Sequence, residues 1–407
     1  LRRLATGLGV PLALGGLALL WGVVQIIPYV PQSWSHPVWQ MAAAVLGTHP
    51  AATISLNPWR SGTELMKLAT YAMALWLARI FANRSERANV LLDAIIAISG
   101  VYAAYAFIMA GIGVDQFNLF YSVPTIGHGL AAPFVNRNSF ACYAGLAALA
   151  AGVRLVEKGS GAVIAHRGWR TYGLTLLQYL FGRGAPYLVA AVIAASAVIA
   201  TGSRAGNAAF FTAAAVLFVL SLLLSLRQAR GLWAMSVAIV VAAGLIALFA
   251  INGNVLLTRF DDMAAAGLDP GLRQQEWDAA LRMIHDAPLL GLGLGTYINA
   301  YPMYSDTVTR FIIDRAHNDY LELAAGWGLP AAILWWSAML WLVGLCARGV
   351  FQRRRARAYP MLAVAASVLV GVHSAFDFPL QMPAIALLYA VILGLGVAQA
   401  FPTRNGA

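Results

Sequence analysis

Charge is what this chain has least of. Asp, Glu, Lys and Arg make up 11% of its 407 residues, while 60% are hydrophobic and the mean hydropathy is +0.72. Soluble domains carry roughly 25% charged residues, so a water-soluble reading is excluded: the apolar surface exceeds what one core can cover, and it must face lipid. Cysteine is equally scarce. Cys142 and Cys346 both fall inside apolar runs, which excludes a disulfide framework or a thiolate metal site and reads the two as core fillers. No Asp-x-Asp occurs and the histidines show no ligand spacing, so neither a metal nor any other cofactor is expected. The sequence also lacks a Gly-x-Ser-x-Gly elbow, coiled-coil heptads and any fixed-period repeat. Gly291-Leu292-Gly293-Leu294-Gly295 follows no strand, lacks dinucleotide-binding or phosphate-loop spacing, and reads as a flexible turn.

What the chain has instead is long apolar runs. A helix must satisfy its own backbone to cross about 30 Å of hydrocarbon, so each crossing needs about 20 largely uncharged residues. Ten stretches qualify, near 10–30, 66–83, 89–113, 137–155, 186–201, 206–226, 232–252, 321–347, 358–377 and 383–401. The first is longer than a signal-peptide core and no small-residue cleavage site follows it, so it reads as a span. The expected fold is an all-α polytopic membrane protein, a single transmembrane domain over 1–407. One long outer loop, 253–320, lies inside that domain.

Orientation follows from the basic residues, because cytoplasmic loops retain Lys and Arg. With the N-terminus inside, the inner segments hold eighteen of the 27 Lys and Arg and the outer segments nine. An even number of spans then returns the C-terminus to the cytoplasm. The formal charge of +11 is therefore mostly topology. Its basic residues are scattered through short loops rather than forming a stripe with aromatics, so no nucleic-acid partner is expected.

Polar residues in so apolar a chain invite explanation. In the long outer loop, Asp269-Pro270 reads as an N-cap and first-turn proline, and Trp277, Leu281 and Ile284 as the apolar stripe of one surface helix. Arg273 falls in its first turn, where unpaired N–H groups and the dipole favour an anion such as phosphate; an ordinary solvated arginine is the alternative. Thr201-Gly202-Ser203-Arg204-Ala205-Gly206 makes a tight turn that can aim N–H groups and one guanidinium outward, or leave Arg204 to snorkel toward head groups. Asn136-Arg137-Asn138 leads into the fourth span, and His373 and Asp377 flank the last outer turn. Either set can line a polar cavity or satisfy backbone groups. Asp93, inside the third span, reads as a packing or relay residue.

The richest polar run is Arg315-Ala316-His317-Asn318-Asp319-Tyr320-Leu321-Glu322. A histidine titrating near ~6.5 can take a proton from a sugar hydroxyl if it lies within hydrogen-bond reach; a satisfied structural imidazole is the other reading.

Four motifs in order resemble the O-antigen ligase and polysaccharide polymerase superfamily. They are Pro133-Phe134-Val135-Asn136-Arg137-Asn138-Ser139-Phe140-Ala141, Gly202-Ser203-Arg204-Ala205-Gly206, Arg273-x-x-x-Trp277 leading to Pro288-Leu289-Leu290-Gly291-x-Gly293, and His317-Asn318-Asp319-Tyr320-Leu321-Glu322. The similarity runs from about Asn57 onward. It implies a GT-C-like inverting glycosyltransferase of the bacterial inner membrane, metal-independent, with its active site periplasmic. The implied donor is a glycan on undecaprenyl diphosphate, and the acceptor hydroxyl belongs to a lipid or glycan, lipid A core for a ligase. On that resemblance Arg204 and Arg273 bind the diphosphate and His317 orients or deprotonates the acceptor. Arg315, Arg137, Asn136, Tyr320 and Asn318 line the substrate pocket, with membrane lipids as the remaining partners. A polymerase elongating lipid-linked repeats is the alternative within the superfamily; a transporter or flippase using the same residues as a path, and a non-catalytic assembly partner, are the alternatives outside it. The spans are fewer than is common in the family, and the chain begins with Leu1 rather than Met.

Overall fold

The computed structural model of the chain describes residues 7–28, 30–48, 50–112, 117–118, 121–122, 129–131, 133–159, 169–225, 272–306, 312–353 and 356–401. The seventh expected span (232–252), the Asp269-Pro270 cap and the first part of the outer loop lie outside them. Apart from one two-residue antiparallel ladder pairing Phe117 with Ser122 and Asn118 with Tyr121, the described elements are helical. Of the other expected spans, 321–347 is divided over two helices and the rest each fall on one, though not all of those helices are long and apolar enough to cross a membrane. Among the described residues, six helices are long and apolar enough to cross a membrane: Gly9–Ile26, Ser85–Gly111, Arg137–Gly159, Arg204–Leu224, Leu329–Gln352 and Pro383–Ala400. A seventh crossing results if the helices Gly173–Phe181 and Ala185–Ala200, bent by 75° at their junction, make one span. Ala185–Ala200 alone rises only about 24 Å at about 1.5 Å per residue, short of the hydrocarbon thickness. Ala358–Ser374 is apolar but shorter than a full crossing.

The chain divides into two compact units, each built from separated stretches of sequence. The first comprises Leu1–Met73, Leu268–Gly344 and Ser374–Pro383. Its helix Gly9–Ile26 leaves Leu12, Leu17 and Leu20 more than half exposed, an apolar surface suited to lipid rather than water. The inner side of that helix packs Ala18 with Leu65, Leu294, Trp327 and Ala331. At one end of the unit, Gln25 Nε2 donates to the carbonyls of Leu290 (2.7 Å) and Gly326 (2.9 Å), and Trp21 Nε1 donates to Trp327 O. An amide side chain therefore fixes irregular backbone to the end of an apolar helix.

That irregular backbone includes the glycine run, and here the expectation of a flexible turn fails. Leu292 N donates to Ala325 O, Gly293 N to Gly326 O, and Leu56 N to Leu292 O. A Cβ on Gly291 would sit 2.3 Å from Gly326 O, and one on Gly293 2.2 Å from Ser55 Oγ. These glycines have positive φ, and they let three chain segments approach closely and bond each other. The turn is buried and hydrogen-bonded.

The second unit comprises Ala74–Gly267, Leu345–His373 and Ala384–Ala407. Its centre is the helix Arg137–Gly159, whose alanines and glycines are almost all buried and which packs against Ser85–Gly111, Ala185–Ala200 and Arg204–Ser225. Small side chains let helix backbones come close where lipid offers no hydrophobic drive. Gly206 shows the fit: a Cβ there would lie 2.5 Å from Ala141 Cβ, and one on Gly145 would meet Phe210. Ala141 therefore faces Gly206, and one turn on Gly145 faces Phe210, so the two helices run parallel and start at the same end.

Asp93 finds its partner in this unit. Arg154, 1% exposed, donates through Nε and Nη2 to the two oxygens of Asp93 at 2.7 and 2.9 Å, and through Nη1 to Glu157. Tyr359 donates to Asn89, which also accepts from Arg154. A guanidinium buried among helices is tolerated because each face is paired. Arg154 is thus an internal clasp between helices. Cys142 and Cys346 are buried and are not joined in a disulfide, as expected of core fillers.

Candidate functional site

The first unit gathers the polar run at the start of the expected eighth span. That span is not continuous: it divides at Gly328 into Asp319–Trp327 and Leu329–Gln352. The reason is a close approach to a distant segment. Gly328 has φ +79 and lies against Leu289 O, where a Cβ would come within 2.4 Å, so the chain turns before re-forming a helix. Asn318 caps the short helix, its Oδ1 accepting from Tyr320 N and Leu321 N, while its Nδ2 donates to Ala375 O. Both ends of this amide are thus engaged by backbone, so Asn318 ties the helix start to the 374–382 turn.

The helix Leu272–Asp286 supplies the opposing side. Its expected inward stripe was Trp277, Leu281 and Ile284; its buried face is Glu276, Ala279, Ala280 and Met283, with Leu281 half exposed and Ile284 packed beside the cluster. The helix is rotated by about one residue, about 100° in a 3.6-residue period. Two alanines allow a closer approach than Trp277 and Leu281 would. Glu276 turns inward because it has a partner: its Oε2 lies 3.0 Å from His317 Nδ1. The Tyr297 hydroxyl donates to the Glu276 carbonyl at 2.9 Å, fixing the same turn from the far side.

His317 itself is left-handed, with φ 47, a conformation that non-glycine residues rarely hold without surrounding support. The support is visible on both sides. Ala316 N donates to Glu322 Oε2 at 2.9 Å, and Arg315 Nη1 donates to Glu322 Oε1 at 3.1 Å and to Gln381 Oε1. Ser374 Oγ and Leu380 N donate to Asp319 Oδ2 at 2.8 and 3.1 Å. The Phe378 ring meets the imidazole edge-on, with centroids 5.0 Å apart. The result is a histidine side chain 28% exposed, standing on a frame whose carboxylates are about 5% exposed or less.

Electrostatics follow from this burial. Burial disfavours the His317 imidazolium, yet the hydrogen bond and charge of Glu276, with the Asp377 charge added, outweigh it and the opposing Arg273 charge, so its pKa lies above the usual histidine value. Burial lifts the Glu322 carboxyl, and Arg315 with the Ala316 N–H offsets only part of that. Asp319 is pushed up to about 7, mainly by burial, against the pull of Ser374 and Leu380 N–H. Arg315 forms a buried pair with Glu322. Among the described residues, no group of three or more His, Cys, Asp or Glu could hold a metal ion.

Of the residues singled out in the sequence, Arg273, Arg315, His317, Asn318 and Tyr320 lie in the first unit. Arg273 is exposed, one turn before Glu276 on the same helix, and its charge acts on His317. Tyr320 is partly exposed and rests on Trp336, centroids 4.6 Å apart. Asn136, Arg137 and Arg204 lie in the second unit. There Arg137 and Arg204 are the first residues of two parallel helices, so their guanidiniums start from one face. The turn before Arg204 is built as its sequence suggests. Gly202 is left-handed, Thr201 Oγ1 accepts from Ser203 N, and Ser203 Oγ accepts from Gly206 N. Glu276, Asp319, Glu322, Ser374 and Gln381 were not singled out as site residues. The one signal, for Glu276 alone, was a carboxylate one turn after Arg273 on an expected helix in a chain with only 16 acidic residues.

No curated protein matches the chain. Residues 189–336 match the family described as O-antigen ligase, a stretch that contains Arg204, Arg273, Glu276, Arg315 and His317 but not Arg137. The match covers just over a third of the chain and supports a likeness to the O-antigen ligase superfamily, and the apolar helices are those of a multi-pass membrane protein.

Proposed function

We propose that this protein transfers a glycan from undecaprenyl diphosphate to an acceptor hydroxyl on the periplasmic face of the inner membrane, with inversion and without a metal, in the manner of an O-antigen ligase acting on lipid A core. The observation that carries the reading is the His317 imidazole, held by Glu276 in a left-handed turn with the Arg273 charge beside it. An imidazole with a carboxylate at one nitrogen can accept a hydroxyl proton at the other. Exposed Arg273 offers a guanidinium to a diphosphate whose negative charge grows as it leaves, and the resemblance assigns Arg204 to the same group. The parallel Arg137 and Arg204 helices support a common face for those two arginines, and the positive-inside count favours the periplasmic one.

The reading is tested with purified protein in nanodiscs supplied with labelled oligosaccharide on undecaprenyl diphosphate. Release of undecaprenyl diphosphate dependent on an acceptor is the expected result, with Arg204→Ala and Arg273→Ala each losing most of it. Full turnover in both variants would overturn the assignment. In cells, deletion that strands full-length glycan on its carrier supports the ligase form; capped single repeats support the polymerase form instead.

A further inference from the structure

We propose that Glu276 is a positioning residue of this site, fixing which nitrogen of His317 takes the proton. The proposal rests on the transfer reading above and adds to it a residue that the resemblance does not supply.

An ionised carboxylate can only accept hydrogen bonds, so the Glu276 contact at 3.0 Å places the imidazole proton on Nδ1 and the lone pair on Nε2. Three features hold Glu276 to this task. Its side chain is 5% exposed, so water competes poorly for its oxygens. Its backbone carbonyl is pinned by the Tyr297 hydroxyl. Its helix face is packed through Ala279, Ala280 and Met283, which limits sliding. On the other side, Asn318 and the Arg315–Glu322–Gln381 group fix the backbone around His317, and the Phe378 edge limits ring rotation. The charged groups acting on the imidazole are Glu276 and Arg273 from the helix Leu272–Asp286, and Asp377 from the turn after Ser374; Arg315 and Glu322 neutralise each other alongside.

In the transfer step the acceptor oxygen forms its bond to the anomeric carbon. The bond from that carbon to the diphosphate oxygen breaks, and its electron pair leaves with the diphosphate. The hydroxyl proton passes to Nε2, and the imidazolium so formed keeps its Nδ1–H on the Glu276 carboxylate until the proton returns to solvent.

The experiment uses the full chain in nanodiscs, with labelled histidine, comparing wild type with Glu276→Gln and Glu276→Asp. Two readouts are taken: the titration and tautomer of His317 by NMR, assigned through His317→Asn, and the pH profile of undecaprenyl diphosphate release. Glu276→Gln is expected to lower the His317 titration point, mix its tautomers, move the acid limb of the kcat/KM profile to lower pH and reduce the plateau by at least about tenfold. Glu276→Asp, which keeps the charge, is expected to retain a raised titration point and more of the rate; it also serves if the glutamine variant does not fold. A His317 titration and tautomer unchanged in Glu276→Gln would overturn the proposal whatever the turnover. If they change while His317→Asn keeps full turnover, the role of His317 in transfer fails and the Glu276 pairing stands.

Discussion

Truncating Glu322 is the sharpest test of the frame beneath His317. Glu322 is 5% exposed and accepts from Arg315 at 3.1 Å and from Ala316 N at 2.9 Å. Arg315 is 8% exposed, so Glu322→Ala leaves a buried guanidinium and a buried N–H with an acceptor missing. Breaking a buried ion pair from one side costs about 3–5 kcal/mol, and an unmet buried donor about 1–3 kcal/mol more. The two overlap, because Gln381 still accepts from Arg315, so about 3–5 kcal/mol is the expected total. At about 2 °C per kcal/mol this lowers the melting midpoint by about 6–10 °C, measured by differential scanning fluorimetry in nanodiscs. Removing both charges with matched volume, as in Arg315→Met with Glu322→Leu, is expected to recover most of the loss, because no buried charge remains unpaired. A Glu322→Ala midpoint within about 2 °C of wild type, or a double variant no better than the single, would refute the claim that this pair supports the His317 turn.

Asp319, raised to about 7 in the fold from an unfolded value near 3.8, binds its proton more tightly when folded. Its contribution to stability is therefore full below about pH 4 and lost as pH rises to about 7; the melting midpoint of wild type relative to Asp319→Asn should fall across that window, and a constant difference would refute the burial argument. His317 has the same sign, its pKa being raised: its stabilising pairing with Glu276 is complete below its unfolded pKa of about 6.5 and is lost as pH passes above its folded value, which a His317→Asn comparison reads. Gly206→Ala places a Cβ 2.5 Å from Ala141 Cβ and 3.0 Å from Ser203 Oγ, so a cost of about 1–3 kcal/mol and reduced turnover through a displaced Arg204 are expected from unfolding and activity measurements. In the Arg154 clasp, Asp93→Asn and Glu157→Gln each leave one carboxylate, whereas the double change strands a guanidinium that is 1% exposed. The double variant should therefore lose more than the two singles added, about 3–5 kcal/mol in all, and an additive result would deny the coupling.

Much is legible in the amino-acid sequence, and the physical reason is that lipid enforces a local rule. A crossing helix satisfies its own backbone, so a run such as 137–155 announces itself by composition alone. Tight turns are also local: Gly202, Thr201 and Ser203 bond within a few residues of each other, which is why the Arg204 turn was readable. Where a decision depended on what lay opposite, the sequence was silent or misleading. The helix Leu272–Asp286 was rotated by one residue in the reading, because a hydrophobic stripe predicts burial only when the inward face is apolar. Here it carries Glu276 for a histidine 41 positions away.

The amino-acid sequence by itself determined that this protein is helical and rich in membrane-crossing runs, and that Arg204, Arg273 and His317 fall in motifs that resemble the O-antigen ligase superfamily. The tertiary structure alone decided that the eighth span breaks at Gly328, that the glycine run is a buried junction, that Asp93 belongs to Arg154, and that Arg315 pairs with Glu322. The first group follows from contacts within a few residues and from the chain's partition between water and lipid. The second follows from pairings between residues distant in the chain, whose charges and carbonyls find partners only after the helices have packed.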